Sequence, residues 1–215
     1  MKKIFFAIAI LGLISIGTVN AQSVFTGTIE YEITYPNSNL DPMMVAYLPS
    51  STIFTFGETK CKVLQATSAY SSVIMVDATE NTFCVLISAM GQKFMAKETI
   101  KPEELNANKP KMIPLNETKT IAGYLCTKTE VIIGEGEETV SYFGYFNKDV
   151  FNPTYSMADQ LGIDGIPLEI EIDMGEMTMK MVAKKVKQSK IKDSEFAIPE
   201  GYTEVSMDAL RGLGM

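Results

Sequence analysis

The stretch Pro167–Lys187 reads PLEIEIDMGEMTMKMVAKKVK, and its alternation decides the fold class. Leu168, Ile170 and Ile172 share one parity, and Glu169, Glu171 and Asp173 share the other. After Met174-Gly175 the pattern resumes with Met177, Met179 and Met181. A two-residue period of this kind marks half-buried strands, because successive side chains point to opposite faces. A turn at Met174-Gly175 predicts a hairpin with Ile172 opposite Met177, Ile170 opposite Met179 and Leu168 opposite Met181. On the other face Glu169 meets Lys180 and Glu171 meets Thr178. Both faces come out consistent together, whereas a one-residue slip would turn the whole apolar row to water.

Outward from this hairpin the same rhythm recurs. Over Phe25–Tyr35, Phe25, Ile29, Tyr31, Ile33 and Tyr35 alternate with Thr28, Glu30, Glu32 and Thr34. Shorter β-rich runs are expected at Met44–Leu48, Thr52–Phe56, Cys61–Gln65, Ser71–Asp77, Thr82–Ser88 and Gln92–Ala96. Lys119–Ile133 and Thr139–Asn147 follow, separated by a turn through Gly134 and Gly136. Two stretches break the rhythm. Lys101–Pro114 carries Glu103 and Glu104 ahead of Pro110 and reads as a short helix or lid-like loop. Lys148–Gly165 is irregular, with a short helix expected near Ser156–Leu161. After a Phe196–Ile198 run ending at Pro199, Ser206 is placed to cap a closing helix and Gly212 to end it. About ten sequential strands with short turns predict a mainly β fold. The expected form is one large, curled antiparallel sheet or incomplete β-barrel with a few short helices.

The ends and the charge narrow the class. Lys2 and Lys3 precede an apolar run over Ile4–Ile16, and Val19-Asn20-Ala21 supplies small residues ahead of a cleavage point. This reads as a signal peptide over residues 1–21, cleaved after Ala21, with one β-rich domain over 22–215. The run is short for a membrane span, which needs about 20 residues, so the product is expected to be periplasmic or secreted and not an integral membrane protein. Of the 19 basic residues, Lys2 and Lys3 leave with that segment, so 17 remain against 26 acidic, a net charge of −9. An acidic balance with a single arginine, Arg211, argues against nucleic acid as a partner. The chain has no histidine, which removes Ser-His-Asp and Cys-His catalysis and the usual zinc sites. No motif supports Ser-Lys or carboxylate catalysis instead. The expectation is a non-enzyme with no cofactor and no metal.

Cys61, Cys84 and Cys126 make an odd count for an oxidising compartment. One disulfide plus a leftover thiol is the simplest arithmetic, and Cys61–Cys84 is the favoured pair because both fall on strands of one meander. Three free, buried thiols serving as small apolar side chains is the other reading.

The methionine row admits three readings. Thioethers bind Cu(I), yet Leu168, Ile170 and Ile172 opposite are not ligands and no histidine completes a set. The row can be plain core. It can also wall a deformable apolar cavity, since methionine is unbranched and polarizable. Leu168, Ile170, Ile172, Met177, Met179, Met181, Tyr31 and Ile33 are the candidate lining residues of such a cavity. The acidic row lacks the Gly-turned loop of a calcium site and reads as a solvated face. Tyr142, Phe143, Tyr145 and Phe146 suggest a carbohydrate-stacking platform, but their strand period reads better as core.

Two segments carry a resemblance. KTIAGYLCTKTEV, Lys119–Val131, and FAIPEGY, Phe196–Tyr202, resemble motifs of a family of exported bacterial proteins of unknown function. Lys119, Ile121, Gly123, Tyr124, Cys126 and Lys128 match the first motif, and Phe196, Ile198, Pro199, Gly201 and Tyr202 the second. That family is similar in fold to the lipoprotein-localisation carriers LolA and LolB. The resemblance implies an incomplete barrel whose concave face holds acyl chains beneath short helices, and it implies no catalytic residues. The sequence therefore points to an exported, non-catalytic binding protein for a lipid or other apolar ligand. A ligand-free structural or interaction protein of the cell envelope is the alternative.

Overall fold

The computed structural model describes residues 24–36, 41–45, 47–99, 101, 110–134, 139–152, 154, 165–175 and 177–212. The signal-peptide reading, most of the Lys101–Pro114 loop and the helix expected at Ser156–Leu161 lie outside these residues. Twelve strands run in chain order: β1 Gly27–Thr34, β2 Ser51–Phe56, β3 Lys60–Ala66, β4 Tyr70–Asp77, β5 Thr82–Ala89 and β6 Gln92–Thr99. They continue as β7 Lys111–Ile121, β8 Tyr124–Ile133, β9 Val140–Asn147, β10 Ile166–Asp173, β11 Thr178–Gln188 and β12 Thr203–Glu204. Helix α1 covers Pro42–Val45, a 3-10 turn covers Asp193–Phe196, and helix α2 covers Met207–Gly212.

All twelve strands join one curled, unclosed sheet in the order β12-β6-β5-β4-β3-β2-β1-β11-β10-β9-β8-β7. The mainly β expectation holds. Pairing is antiparallel except where β12 lies parallel to β6. Strand β1 sits between β2 and β11 because the chain's beginning pairs with its late hairpin. Among the described residues no helix is long and apolar enough to cross a membrane.

One face of this sheet is apolar across many strands. From β11 it runs through Met181, opposite Ile33, and Ala183, opposite Tyr31. It continues through Ile29, opposite Phe54, and then Val63 and Ile74. Helix α2, with the Ser206 hydroxyl accepting from the Ala209 amide at 3.1 Å, lays Met207 and Leu210 on Ile87 and Ala96 of this same face. At the end near the β2–β3 turn, residues 147–152 and Thr154 lie across the face. There Val150, Asn152 and Thr154 are wholly buried.

Four readings need correction. The β10–β11 hairpin pairs Ile170 with Met181 and Ile172 with Met179, and Glu171 with Lys180. The register is thus two residues from the expected one. The reversal lies one residue further along the chain than Met174-Gly175: the Met174 amide donates to the Met177 carbonyl at 2.9 Å, and the Asp173 carboxylate accepts from Gly175. A two-residue shift keeps every side chain on its expected face. Lys119–Ile133 is not one strand but the end of β7 and the whole of β8, reversed at Ala122 (φ 48°) and Gly123 (φ 87°). Lys111–Pro114, assigned to a loop, opens β7. Met44–Leu48 is not a strand: Asp41 accepts from the Met43 amide at 2.7 Å and starts α1, with Pro42 at its first position.

The three cysteines are free and buried. Cys61 pairs with Val76 and Cys84 with Met75, neighbours on β4 that point to opposite faces. The expected Cys61–Cys84 bridge is therefore not made: a whole strand and the thickness of the sheet separate the two thiols. Burial pushes the Cys61 thiol up to about 12 and the Cys126 thiol up to about 11. Thiol titration of unreduced protein is expected to find almost no reaction in the native state and three groups per chain in denaturant. A count of one in denaturant would restore the bridge.

Candidate functional site

The candidate lining residues of the apolar face fall into place unevenly. Tyr31, Ile33, Leu168, Ile170 and Met181 are buried in one cluster with Ile29, Phe56 and Ala183. Ile172 and Met179 face each other across β10 and β11 and are half-buried at its margin. Met177 is half-buried in the connection and lies outside that cluster. Tyr31 shows how tightly the buried part is set. Its hydroxyl donates to the Pro167 carbonyl at 2.9 Å, reaching past Ala183, whose small side chain leaves room. A bulge in β10 between Pro167 and Glu169 interrupts its pairing with β9 at this point.

Burial along this face is uneven, falling off along β10 and β11 and also across the sheet from β1 to β4. Ile29, Phe56 and Leu168 are wholly covered, and Val150 from the crossing segment packs with them. Toward the β10–β11 connection, Tyr142, Ile172 and Met179 are only half-buried; in the row that crosses the sheet from Ile29, Phe54 and Val63 are half-buried and Ile74 is 40% exposed. Aliphatic, aromatic and thioether groups thus remain within reach of solvent on a sheet face that is otherwise closed.

The opposite face carries a polar cleft of about 530 Å³ that crosses β7 to β11. It forms because β7 curls over until it comes against β11, four places away in the sheet. Lys119 on β7 thereby reaches Glu169 on β10 at 2.5 Å, and Lys180 on β11 reaches the same carboxylate at 3.0 Å. Glu169, expected on a solvated face, is 5% exposed. Burial pushes its carboxyl up, but the hydrogen bonds from Lys119 and Lys180 outweigh that and hold it below the usual carboxylate range. The same bond to Glu169 holds Lys180 above its ordinary value.

A second layer lies over the first. Lys128 bonds Glu117 at 2.8 Å, and the Tyr145 hydroxyl donates to the other oxygen of that carboxylate. Glu117 is lowered by these two bonds, Lys128 first, and Tyr145 is raised by its bond to Glu117. The Lys128 ammonium stands 5.4 Å from the Phe143 ring centroid, and the Lys119 ammonium 5.4 Å from that of Tyr145. Phe143 and Tyr145 therefore face this cleft, Tyr145 packing against the core cluster as well, while Phe146 points to the apolar side and Tyr142 touches both. Splitting the aromatic run by parity would have separated the two pairs.

Among the described residues no group of three or more acidic, cysteine or histidine side chains is arranged to hold a metal ion. No protein-family model matches this sequence, and no curated protein aligns with it significantly.

Proposed function

We propose that the protein is an exported, non-catalytic binding protein for an apolar molecule of the acyl-chain class, taken up on the half-exposed part of the apolar sheet face. The observation that carries this reading is the gradient of burial: the apolar row stays continuous from Leu168 and Ile170 to Ile172, yet Ile172 and its partner Met179 remain half-exposed. Unbranched, polarizable side chains reachable at the margin of the core can adapt their shape to a flexible ligand. An unclosed sheet of twelve strands agrees with a carrier of the incomplete-barrel type, which the two motif segments also suggest. Periplasmic or secreted placement belongs to the same proposal.

Titration with palmitate or an apolar naphthylamine dye is expected to show saturable binding on the order of 1–10 µM. Met179→Trp, which fills the margin, is expected to weaken it about tenfold at unchanged Tm. Met179→Leu conserves volume and is expected to change stability by less than about 1.5 kcal/mol. Wild-type protein that shows no saturable binding would leave the ligand-free structural reading in its place.

A further inference from the structure

We propose that the polar cleft on the opposite face is a binding site for a neutral saccharide. It is separate from the apolar ligand reading and does not depend on it.

The first ground is the balance of charge. Lys119, Lys128 and Lys180 line the cleft together with Glu169, Glu171 and Asp173, three positive against three negative. The two signs alternate through contact: Lys119 to Glu169, Glu169 to Lys180, and Lys180 to Glu171 at 3.2 Å. A phosphate or a carboxylate ligand would meet as many repelling groups as attracting ones, and so would an amine. A hydroxyl fits both signs, since it donates one hydrogen bond and accepts two. Side by side, carboxylate and ammonium groups are therefore a matched surface for vicinal hydroxyls. Ser141 and Thr178, also in the lining, extend that surface with groups of the same kind.

The second ground is Phe143. It is 45% exposed on a strand face where Ser141 and Tyr145 flank it and the cross-strand groups are charged. Opposite it on β10 stands Glu171, with its side chain 52% exposed. The face of an aromatic ring is electron-rich and attracts the polarised C–H groups of a sugar ring, as it attracts the Lys128 ammonium above it. A pyranose laid on Phe143 would take the place of the Lys128 ammonium, which keeps its bond to Glu117 at the rim, and would set its hydroxyls toward Glu171 and Lys180. A volume of about 530 Å³ accepts a disaccharide.

The third ground is that the cleft is built and not left over. Its deepest carboxylate, Glu169, is fixed from two strands, β7 and β11, so the floor is rigid before any ligand arrives. Preorganised polar groups lose little freedom on binding.

The test uses the whole mature chain with cellobiose, maltose and chitobiose as probes, read by saturation-transfer NMR and by calorimetric titration. At least one probe is expected to bind saturably in the submillimolar to millimolar range. Phe143→Ala and Glu171→Gln, both at exposed positions, are each expected to weaken it at least tenfold while the Tm stays within two or three degrees. Saturation transfer should concentrate on the sugar C–H protons of one ring face. The proposal is overturned if none of the three probes binds saturably at 10 mM, or if Phe143→Ala binds as the wild type does. It is also overturned if sodium sulfate competes at equal concentration, which would make the cleft an anion site.

Discussion

Asn152→Ala is expected to cost about 3–5 kcal/mol of folding free energy. The Asn152 side chain is wholly buried in the segment that crosses the apolar face. Its amide nitrogen donates to the Phe25 carbonyl and to the Gly57 carbonyl, both at 2.7 Å. Its amide oxygen accepts from the Thr154 amide at 2.9 Å and from the Thr154 hydroxyl at 2.5 Å. One side chain thus ties the approach to β1, the turn after β2 and the crossing segment together. Alanine would strip partners from two carbonyls and an amide in a place water does not reach, and would leave the Thr154 hydroxyl only its bond with the Cys61 thiol. Each buried polar group left unsatisfied costs about 1–3 kcal/mol, with some relief from relaxation. Urea denaturation monitored by tyrosine fluorescence gives the value. A loss under about 1 kcal/mol would show that the crossing segment is not pinned where it is described. Thr154→Val removes only the hydroxyl bond, since valine keeps the backbone amide that donates to Asn152, and is expected to cost less; the double variant should fall short of the sum because both act on one network.

Gly27→Ala is expected to cost about 3 kcal/mol or more, although it adds a single methyl group. Gly27 has φ +146°, a region that side chains rarely adopt. A Cβ built there would lie 2.1 Å from the Lys187 carbonyl oxygen. That oxygen belongs to β11, the strand paired with β1 at Gly27↔Gln188, so it cannot move aside without opening the pairing. Gly123 provides the comparison. It also has a positive φ, +87°, but nothing lies within 4 Å of its added Cβ. Alanine at that turn pays only for the backbone conformation, about 1–2 kcal/mol. Equal losses at the two positions, measured by thermal denaturation, would mean that the contact with Lys187 is relieved cheaply and that the expectation for Gly27 is wrong.

Alternation alone made much of the sheet legible. Ile29, Tyr31 and Ile33 could be assigned to one face without any knowledge of partners, because parity is a property of a single strand. Register is not. It depends on where the chain reverses, and in the Met174–Met177 turn the Asp173 carboxylate bond to Gly175 was not visible as a signal. Ala122-Gly123 escaped notice because alanine at φ 48° is an unusual partner for a glycine in a tight reversal. At α1 the signal was present, Asp41 before Pro42, but the apolar run that follows outweighed it. The cleft was the least legible part. Glu169 and Lys119 are fifty residues apart, and their meeting depends on how far β7 curls, which no local pattern encodes. The aromatic run Tyr142–Phe146 did contain its own division by parity.

An unclosed sheet keeps two margins, and a bare margin offers unpaired amides and carbonyls to any passing strand. On one side the chain supplies its own cover. After β11 it bonds back to β3, where Lys62 donates to the Glu195 carbonyl at 2.7 Å. It then lays Thr203 and Glu204 alongside Phe94 and Met95 of β6 and tucks α2 beneath. The other margin, β7, is made unsuitable as a template by different means. Pro114 removes a donor, the ladder is irregular between Pro114 and Thr118, and Lys111 and Lys119 put charge along it. Polymerisation through strand addition is thereby opposed at both ends. The sheet can therefore remain unclosed without offering either margin to a second chain.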